Sequence, residues 1–383
     1  MEVKQGQITD GLLETGIIDT DIHERVLYPD LVPYLDNPWR RYITDCGWIQ
    51  EKHLPYTQPT VAGLNRADAA LPDGRPAGSD LAFLRSQLLD ELNIRYGILT
   101  GALDPSPSSM NGWHEMATAL ASAYNDYQIE HWLEKDSRLY GSVHIAAQDP
   151  LAAAREIDRV GPHPKMVQVL LPIDNIVWGD PYYHPIFAAA ERNNLVIAMH
   201  HNEPAVYFGR FPRYFIEWHT LISTAHMMQV TSFVFNGVFE KFPNLKLLMI
   251  EAGFTYVPHL MRKMDQQYRD LRHEVPWIKR LPSEIVREHI RFTTQPMEEF
   301  SKAEFEQWLD LLGSEEMVCF SSDYPHWDFD HPVGGFPNMR DSLRQKIFHD
   351  NALALYPKLP QDQGRCPRCS RSFASSPNCN QES

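Results

Sequence analysis

The chain has no long apolar run, no basic tract, no glycine-rich phosphate loop and no paired cysteine framework, and each absence removes a class of function. No stretch approaches the roughly 18 uncharged apolar residues that a membrane-spanning helix needs. Residues 1–16 are polar and acidic, without the apolar core of a secretory leader. The expectation is a cytoplasmic protein with no membrane partner. Lys and Arg total 35 against 50 Asp and Glu, for a formal net charge of -15. With no local run of Lys or Arg, such a surface repels phosphate backbones and anionic lipid, so no nucleic-acid partner is expected. Neither a GxGxxG turn nor a P-loop occurs, which removes the usual dinucleotide and triphosphate cradles. The cysteines are Cys46, Cys319, Cys366, Cys369 and Cys379, an odd set that reads as reduced thiols. Cys366 and Cys369 have the spacing of half a zinc site, but only Cys379 follows and no histidine lies nearby to complete four ligands. The Ser/Pro/Asn-rich segment 357–383 therefore reads as a disordered tail.

What is present points to a single large α/β unit over residues 1–356. At 383 residues and 43% hydrophobic content, the chain can bury one barrel core or two ordinary ones. Eight β-rich runs can be picked out: 17–23, 95–99, 139–145, 166–171, 195–200, 245–251, 290–294 and 317–323. Helical patterns lie between them, over 81–92, 113–135, 150–160, 185–193, 222–242, 257–271, 302–312 and 339–355. Strand and helix alternate, which favours βαβ units and a parallel sheet. Eight units match a distorted (β/α)8 TIM barrel. Two long interruptions, 29–79 after the first strand and 202–220 after the fifth, leave the strand ends where a barrel places its active site, so they are expected to form lids or walls.

Four of the runs end in acidic or imidazole side chains. Asp21 and His23 close the first, His200 and His201 the fifth, Glu251 the sixth and Asp323 the eighth. In a parallel barrel all strand ends of one polarity open on one face, so ligands spread over 300 residues of chain can converge on one ion. Asp21 and His23 are two apart and project from the same face of a strand. His200 and His201 are adjacent and project oppositely. We take His200 as the ligand and His201 as a group facing substrate or supporting the ligands. Imidazole and carboxylate suit a divalent transition metal such as zinc, iron, manganese or nickel. One ion is expected, or two if Glu251 bridges; Glu251 reads equally as a partner of a liganding histidine or as a structural carboxylate. Asp323 is the first choice of general base. His259, eight residues beyond Glu251, reads either as a proton donor or as a capping histidine.

At these residues the chain resembles the amidohydrolase-related family often called amidohydrolase family 2. The likeness runs from about Ile17 to Pro332 and is most specific in Gly237-Val238-Phe239-Glu240-Lys241-Phe242-Pro243-Asn244-Leu245-Lys246-Leu247 leading to Glu251, and in Ser321-Ser322-Asp323-Tyr324-Pro325-His326-Trp327. The resemblance implies a metal held by Asp21, His23, His200 and Asp323. Two positions depart from the family pattern. Asp21 stands where a histidine is commoner, and Glu251 stands where similar decarboxylases carry a histidine. An anion in place of a proton donor argues against decarboxylation.

The expectation is therefore a metal-dependent hydrolase acting on an amide, lactone or thioester of a bulky or cyclic small molecule. In it Asp323 moves the proton, and His326, His201 or His259 steadies the oxyanion. Trp48, Tyr56, Tyr207, Phe211, Trp218 and Trp327 are expected to line the walls, and Arg40, Arg41, Arg66, Arg210 and Arg213 to clamp an acidic substrate tail. The alternatives are a non-oxidative decarboxylase of an aromatic or enoic acid, and a non-catalytic barrel that serves as a scaffold. A homodimer is expected on general frequency.

Overall fold

The computed structural model describes residues 15–46, 64–101, 113–173, 176–201 and 213–361. Eight strands run in sequential order through one sheet: β1 (Ile17–Ile22), β2 (Ile94–Leu99), β3 (Leu139–His144), β4 (Met166–Ile173), β5 (Val196–His201), β6 (Leu247–Ile250), β7 (Ile290–Thr293) and β8 (Val318–Cys319). Every ladder is parallel. The ring closes between β1 and the chain just past β8. There Thr20 N donates to Phe320 O at 3.2 Å, His23 N to Tyr324 O at 2.8 Å and Asp323 N to Asp21 O at 3.2 Å. This is the (β/α)8 barrel that the alternation of strand and helix predicts. The eighth strand is shorter than its apolar run, because the ladder with β7 ends at Cys319.

Both faces of the strands are buried, which explains why they read as continuous apolar runs. Ile18, Ile98, Val167, Leu170, Val196, Ala198, Leu248, Ile250 and Cys319 fill the inside of the ring. Ile17, Val169, Leu171, Ile197, Met199, Leu247, Met249 and Val318 pack outward against the helices. Alternation then decides which polar side chain faces in. On β5 the inner series Val196, Ala198 continues to His200. On β1 a register shift between Asp19 and Ile22 breaks the alternation.

The helices follow local signals. Asp149 caps Pro150–Val160, its side chain accepting from Leu151 N at 3.0 Å and Ala152 N at 2.9 Å. Ser301 and Glu304 form a capping box on Lys302–Leu312, which ends at the left-handed Gly313. The expected helix 222–242 begins earlier, as Phe215–Phe235, and breaks at Gly237, whose φ of +70° separates it from Val238–Lys241. The sequence reading missed short helices, among them Trp39–Cys46 in the first interruption and Pro282–His289, which leads into β7 with a proline in its first turn. The start of the 64–79 stretch runs beside the chain after β8, where Trp327 N donates to Leu64 O and Arg66 N to Pro325 O, both at 2.8 Å.

The bottom of the ring is plugged by the chain's last described helix, Asn351–Leu355, and the residues after it. Leu355, Tyr356 and Leu359 are buried in the inner cluster. Tyr356 Oη donates to Gln168 Oε1 at 2.6 Å, and Gln168 Nε2 donates to Ser142 Oγ at 2.8 Å. The cysteines of the segment 357–383, namely Cys366, Cys369 and Cys379, lie outside the described residues. Replacing Tyr356 with Phe leaves a buried amide oxygen unpartnered. We expect a loss of about 1–3 kcal/mol in urea unfolding, with the site at the opposite end of the barrel still binding metal.

Candidate metal centre

Asp21, His23, His200 and Glu251 each present an atom to a common point, as do His23, Glu251, Asp323 and His326; within each group the atoms lie within 4.8 Å of one another. Two backbone devices aim these side chains. The shifted register of β1 sends Ile22 outward into the helix-facing core, between Asp21 and His23. At the ends of β6 and β8, Glu251 and Asp323 both adopt φ of +59°, a left-handed conformation that costs a non-glycine residue about 1–2 kcal/mol. Without it, strand alternation would turn Glu251 away from the inner face of Leu248 and Ile250. Strain of this kind collects at functional positions.

Hydrogen bonds then set which atoms face the centre. The Nδ1 of His23 meets Gly101 O at 2.6 Å, and the Nδ1 of His200 meets His201 O at 2.6 Å. A carbonyl only accepts, so each Nδ1 carries the proton and each Nε2 presents its lone pair inward. Asp21 Oδ1 accepts from Thr100 Oγ1 at 2.6 Å, and Asp323 Oδ2 from Gln295 Nε2 at 2.9 Å. His23 Nε2 lies 3.0 Å from Asp323 Oδ1 and 3.5 Å from Asp21 Oδ1. His200 Nε2 lies 3.9 Å from Asp21 Oδ2 and also touches Glu251 Oε2.

These atoms fit a cation. Asp21 Oδ2, His23 Nε2, His200 Nε2 and Glu251 Oε2 are buried without a hydrogen-bond partner, an arrangement that is costly unless an ion completes it. Burial opposes charge on His23, yet the Asp21 and then the Asp323 carboxylates hold its imidazole well above the ordinary value. The field at Nε2 thus favours a positive charge. Asp21, despite its burial, is held at about 2 by His23 and His200, while burial pushes His200 down to about 3. Both ligand groups contain His23 and Glu251. One imidazole Nε2 has one lone pair, so the two groups are alternative views of a single ion's surroundings. The centre is suited to one divalent transition metal.

The other expected site residues separate. His201 is buried and stacks on His200 with ring centroids 4.7 Å apart, its Nε2 3.5 Å from Glu251 Oε1. His326 is partly exposed and donates from Nδ1 to Asp323 Oδ1 at 2.6 Å. His259 does not join them. It is exposed on Val257–Leu271, a helix that turns Val257, Leu260 and Met261 to the core. Trp218 is buried beside His201, and Trp327 is 45% exposed near His219. Trp48, Tyr56, Tyr207, Phe211 and Arg210 lie outside the described residues. The described arginines have other engagements: Arg66 pairs with Asp68 and covers the Phe329 ring, Arg41 pairs with Asp45, Arg40 donates to Pro33 O and Arg213 lies over Tyr214.

Several supporting residues escaped the sequence reading. Glu24 accepts from Gly101 N at 2.8 Å, Tyr124 Oη at 3.1 Å and Gln128 Nε2 at 2.5 Å, holding the residue whose carbonyl orients His23. Gly101 has φ of +75°, and a Cβ there would lie 2.5 Å from Tyr124 Oη. Asp19 Oδ1 accepts from Ser322 N at 2.9 Å, tying β1 to the chain before Asp323. Gln295 follows β7 as Asp323 follows β8. That placement at a strand's carboxyl end was its only signal.

The family model described as amidohydrolase matches residues 21–358. The gamma-resorcylate decarboxylase of Rhodococcus jostii (strain RHA1) is 25% identical over 302 residues, covering 72% of this chain and 88% of that protein. Two solved structures share the fold. One is the dihydroxybenzoic acid decarboxylase of Polaromonas sp. JS666 with bound manganese and 2-nitroresorcinol, with a TM-score of 0.62, 19% identity, 89% of this chain and 96% of that one. The other is the 5-carboxyvanillate decarboxylase of Novosphingobium aromaticivorans DSM 12444 with manganese and 4-hydroxy-3-methoxy-5-nitrobenzoic acid, with a TM-score of 0.66, 18% identity, 91% and 97%. The expectation of an amide, lactone or thioester hydrolase is overturned here, because these relatives are decarboxylases. Matched over most of its length and carrying a buried acid and imidazole cluster at the strand ends, the chain belongs to the amidohydrolase family.

Proposed function

We propose that the protein is a metal-dependent, non-oxidative decarboxylase of a carboxylated hydroxyaromatic acid. The observation that carries this reading is the placement of Glu251, a buried carboxyl at the same point as Asp21, His23 and His200. Decarboxylation looked unfavourable in the sequence because an anion stands where a proton donor belongs. Burial, and after it the neighbouring Asp323 charge, push the Glu251 carboxyl well above the ordinary range. Burial disfavours the anionic form of such a carboxyl, which suits it to act as an acid. The names of the relatives, gamma-resorcylate and dihydroxybenzoic acid decarboxylases, support the substrate class.

In this reading Asp21, His23, His200 and Asp323 hold the ion. The manganese of the similar structures suggests its identity. A divalent cation held by these residues would supply positive charge to offset the anionic oxygens of the substrate. Glu251 delivers its proton to the ring carbon that bears the carboxylate. The bond between that carbon and the carboxyl carbon then breaks, its electron pair returns to the ring, and carbon dioxide departs. Solvent returns a proton to Glu251. His326, hydrogen-bonded to Asp323 Oδ1, and His201, beside Glu251 Oε1, fix the two carboxyl groups. Burial keeps His201 well below its ordinary value and therefore neutral. Trp327, half-exposed and 5.6 Å from the His219 ring, offers an aromatic face on which a ring can rest.

Three outcomes are expected. Incubated in deuterium oxide with 2,6-dihydroxybenzoate and related hydroxybenzoates, the enzyme should release carbon dioxide and leave one deuteron at the vacated carbon, read by NMR. Consumption of substrate without carbon dioxide would end the proposal. Elemental analysis should find one transition-metal ion per chain, and its removal by a chelator should abolish turnover until manganese is restored; a ratio of two would contradict the single-ion geometry. Glu251→Gln should keep that ion while kcat falls by about 10²–10⁴, the usual contribution of a positioned general acid. Loss of the metal in this variant would instead place Glu251 among the ligands.

A further inference from the structure

We infer that Gln295 is a positioning residue for the metal centre, the middle of a hydrogen-bonded relay that ties the liganding Asp323 to the Asp328–His219 pair at the aromatic wall. Gln295 Nε2 donates to Asp323 Oδ2 at 2.9 Å and to Asp328 Oδ2 at 2.9 Å. Its side-chain oxygen, Oε1, is buried with no hydrogen-bond partner. The two facts define the amide's orientation. Carboxylates accept and do not donate when ionised, so the NH2 group must face both of them, and a flipped amide would set its oxygen against two anions. An amide supplies two hydrogens on one nitrogen, and both are committed here. No other neutral side chain of that length can cross-link two carboxylates in this way.

The relay continues outward. Asp328 Oδ2 also lies 3.1 Å from His219 Nε2, which therefore carries the proton and donates. His219 sits on Phe215–Phe235 with its ring stacked on Phe215 at 5.6 Å and tilted to Trp327 at the same 5.6 Å. A chain of three hydrogen bonds thus connects a ligand of the ion to the aromatic surface of the pocket. Its consequence for Asp323 is steric as well as electrostatic. Oδ1 is held by His326 Nδ1 and Oδ2 by Gln295 Nε2, so the carboxylate plane is clamped from both sides at a residue whose backbone is left-handed. Partners of this kind typically change metal affinity by about 10–100-fold when removed.

The inference rests on the metal-centre reading above, and its test is chosen to separate the two. Full-length wild type, Gln295→Met and Gln295→Asn are stripped with chelator and titrated with Mn(II), free ion being read by electron paramagnetic resonance. Met keeps the length and loses both donors; Asn keeps the amide but cannot span both carboxylates. Thermal melting of the metal-free proteins reports folding. We expect both variants to melt near wild type and to bind Mn(II) about 10–100-fold more weakly, with His219→Phe showing a smaller shift in the same direction. Should Gln295→Met fail to fold, Gln295→Asn gives the same readout. Mn(II) affinity within twofold of wild type in a folded Gln295 variant overturns the relay. Absence of Mn(II) binding by wild type overturns the metal centre itself, and the relay with it.

Discussion

The structure depends on one electrostatic constraint: two aspartate carboxylates, two imidazoles and the Glu251 carboxyl are brought out of water to a single point, where a cation must balance them. Asp21, His23, His200, Glu251 and Asp323 are all buried. Isolated charges in such a place are costly, and four of the converging atoms have no hydrogen-bond partner. The rest of the mouth of the barrel answers to this cost. Backbone carbonyls of Gly101 and His201 take up the outer nitrogens of the two histidines. Thr100 and Gln295 take up the outer oxygens of the aspartates. What remains pointing inward is a set of bare acceptors.

The barrel supplies the geometry for this by two means of different generality. Parallel strands in sequential order bring eight carboxyl ends to one rim, a property of the fold that says nothing about chemistry. The specific aiming comes from local departures. A shifted register in β1 sets Asp21 and His23 toward the centre, and the left-handed backbone at Glu251 redirects a side chain that strand alternation would place elsewhere. Glu24 and Asp19, buried carboxyls that burial pushes to about 7, brace β1 from either side through Gly101 and Ser322.

Burial also decides the direction of the chemistry. From residue type alone Glu251 is an anion, and an anion beside the metal suits water activation better than carbon protonation. Enclosed beside Asp323, the same side chain is pushed toward its protonated form, which accords with the proposed proton-donating role. The difference between the two readings lies in the environment of one carboxyl group, and no pattern along the chain describes that environment. His259 illustrates the same limit. Its distance from Glu251 along the sequence placed it near the site, but the helix register of Val257–Leu271 turns it to solvent while its neighbours enter the core.

The amino-acid sequence by itself determined the barrel and the polar ends of its strands. Runs of Ile, Val and Leu bounded by turn residues leave few other folds for eight alternating units, and Asp21, His23, His200, Glu251 and Asp323 stand at the ends of such runs for a reader to find. Tertiary structure alone decided which of them meet and through which atoms. Gln295, Glu24 and Asp328 are ordinary polar residues in the chain, and they acquire a role only because Asp323, Gly101 and His219 are folded against them. Periodicity encodes the face on which a residue lies. The partner on that face, and the solvent excluded from it, come from segments tens of residues away or more.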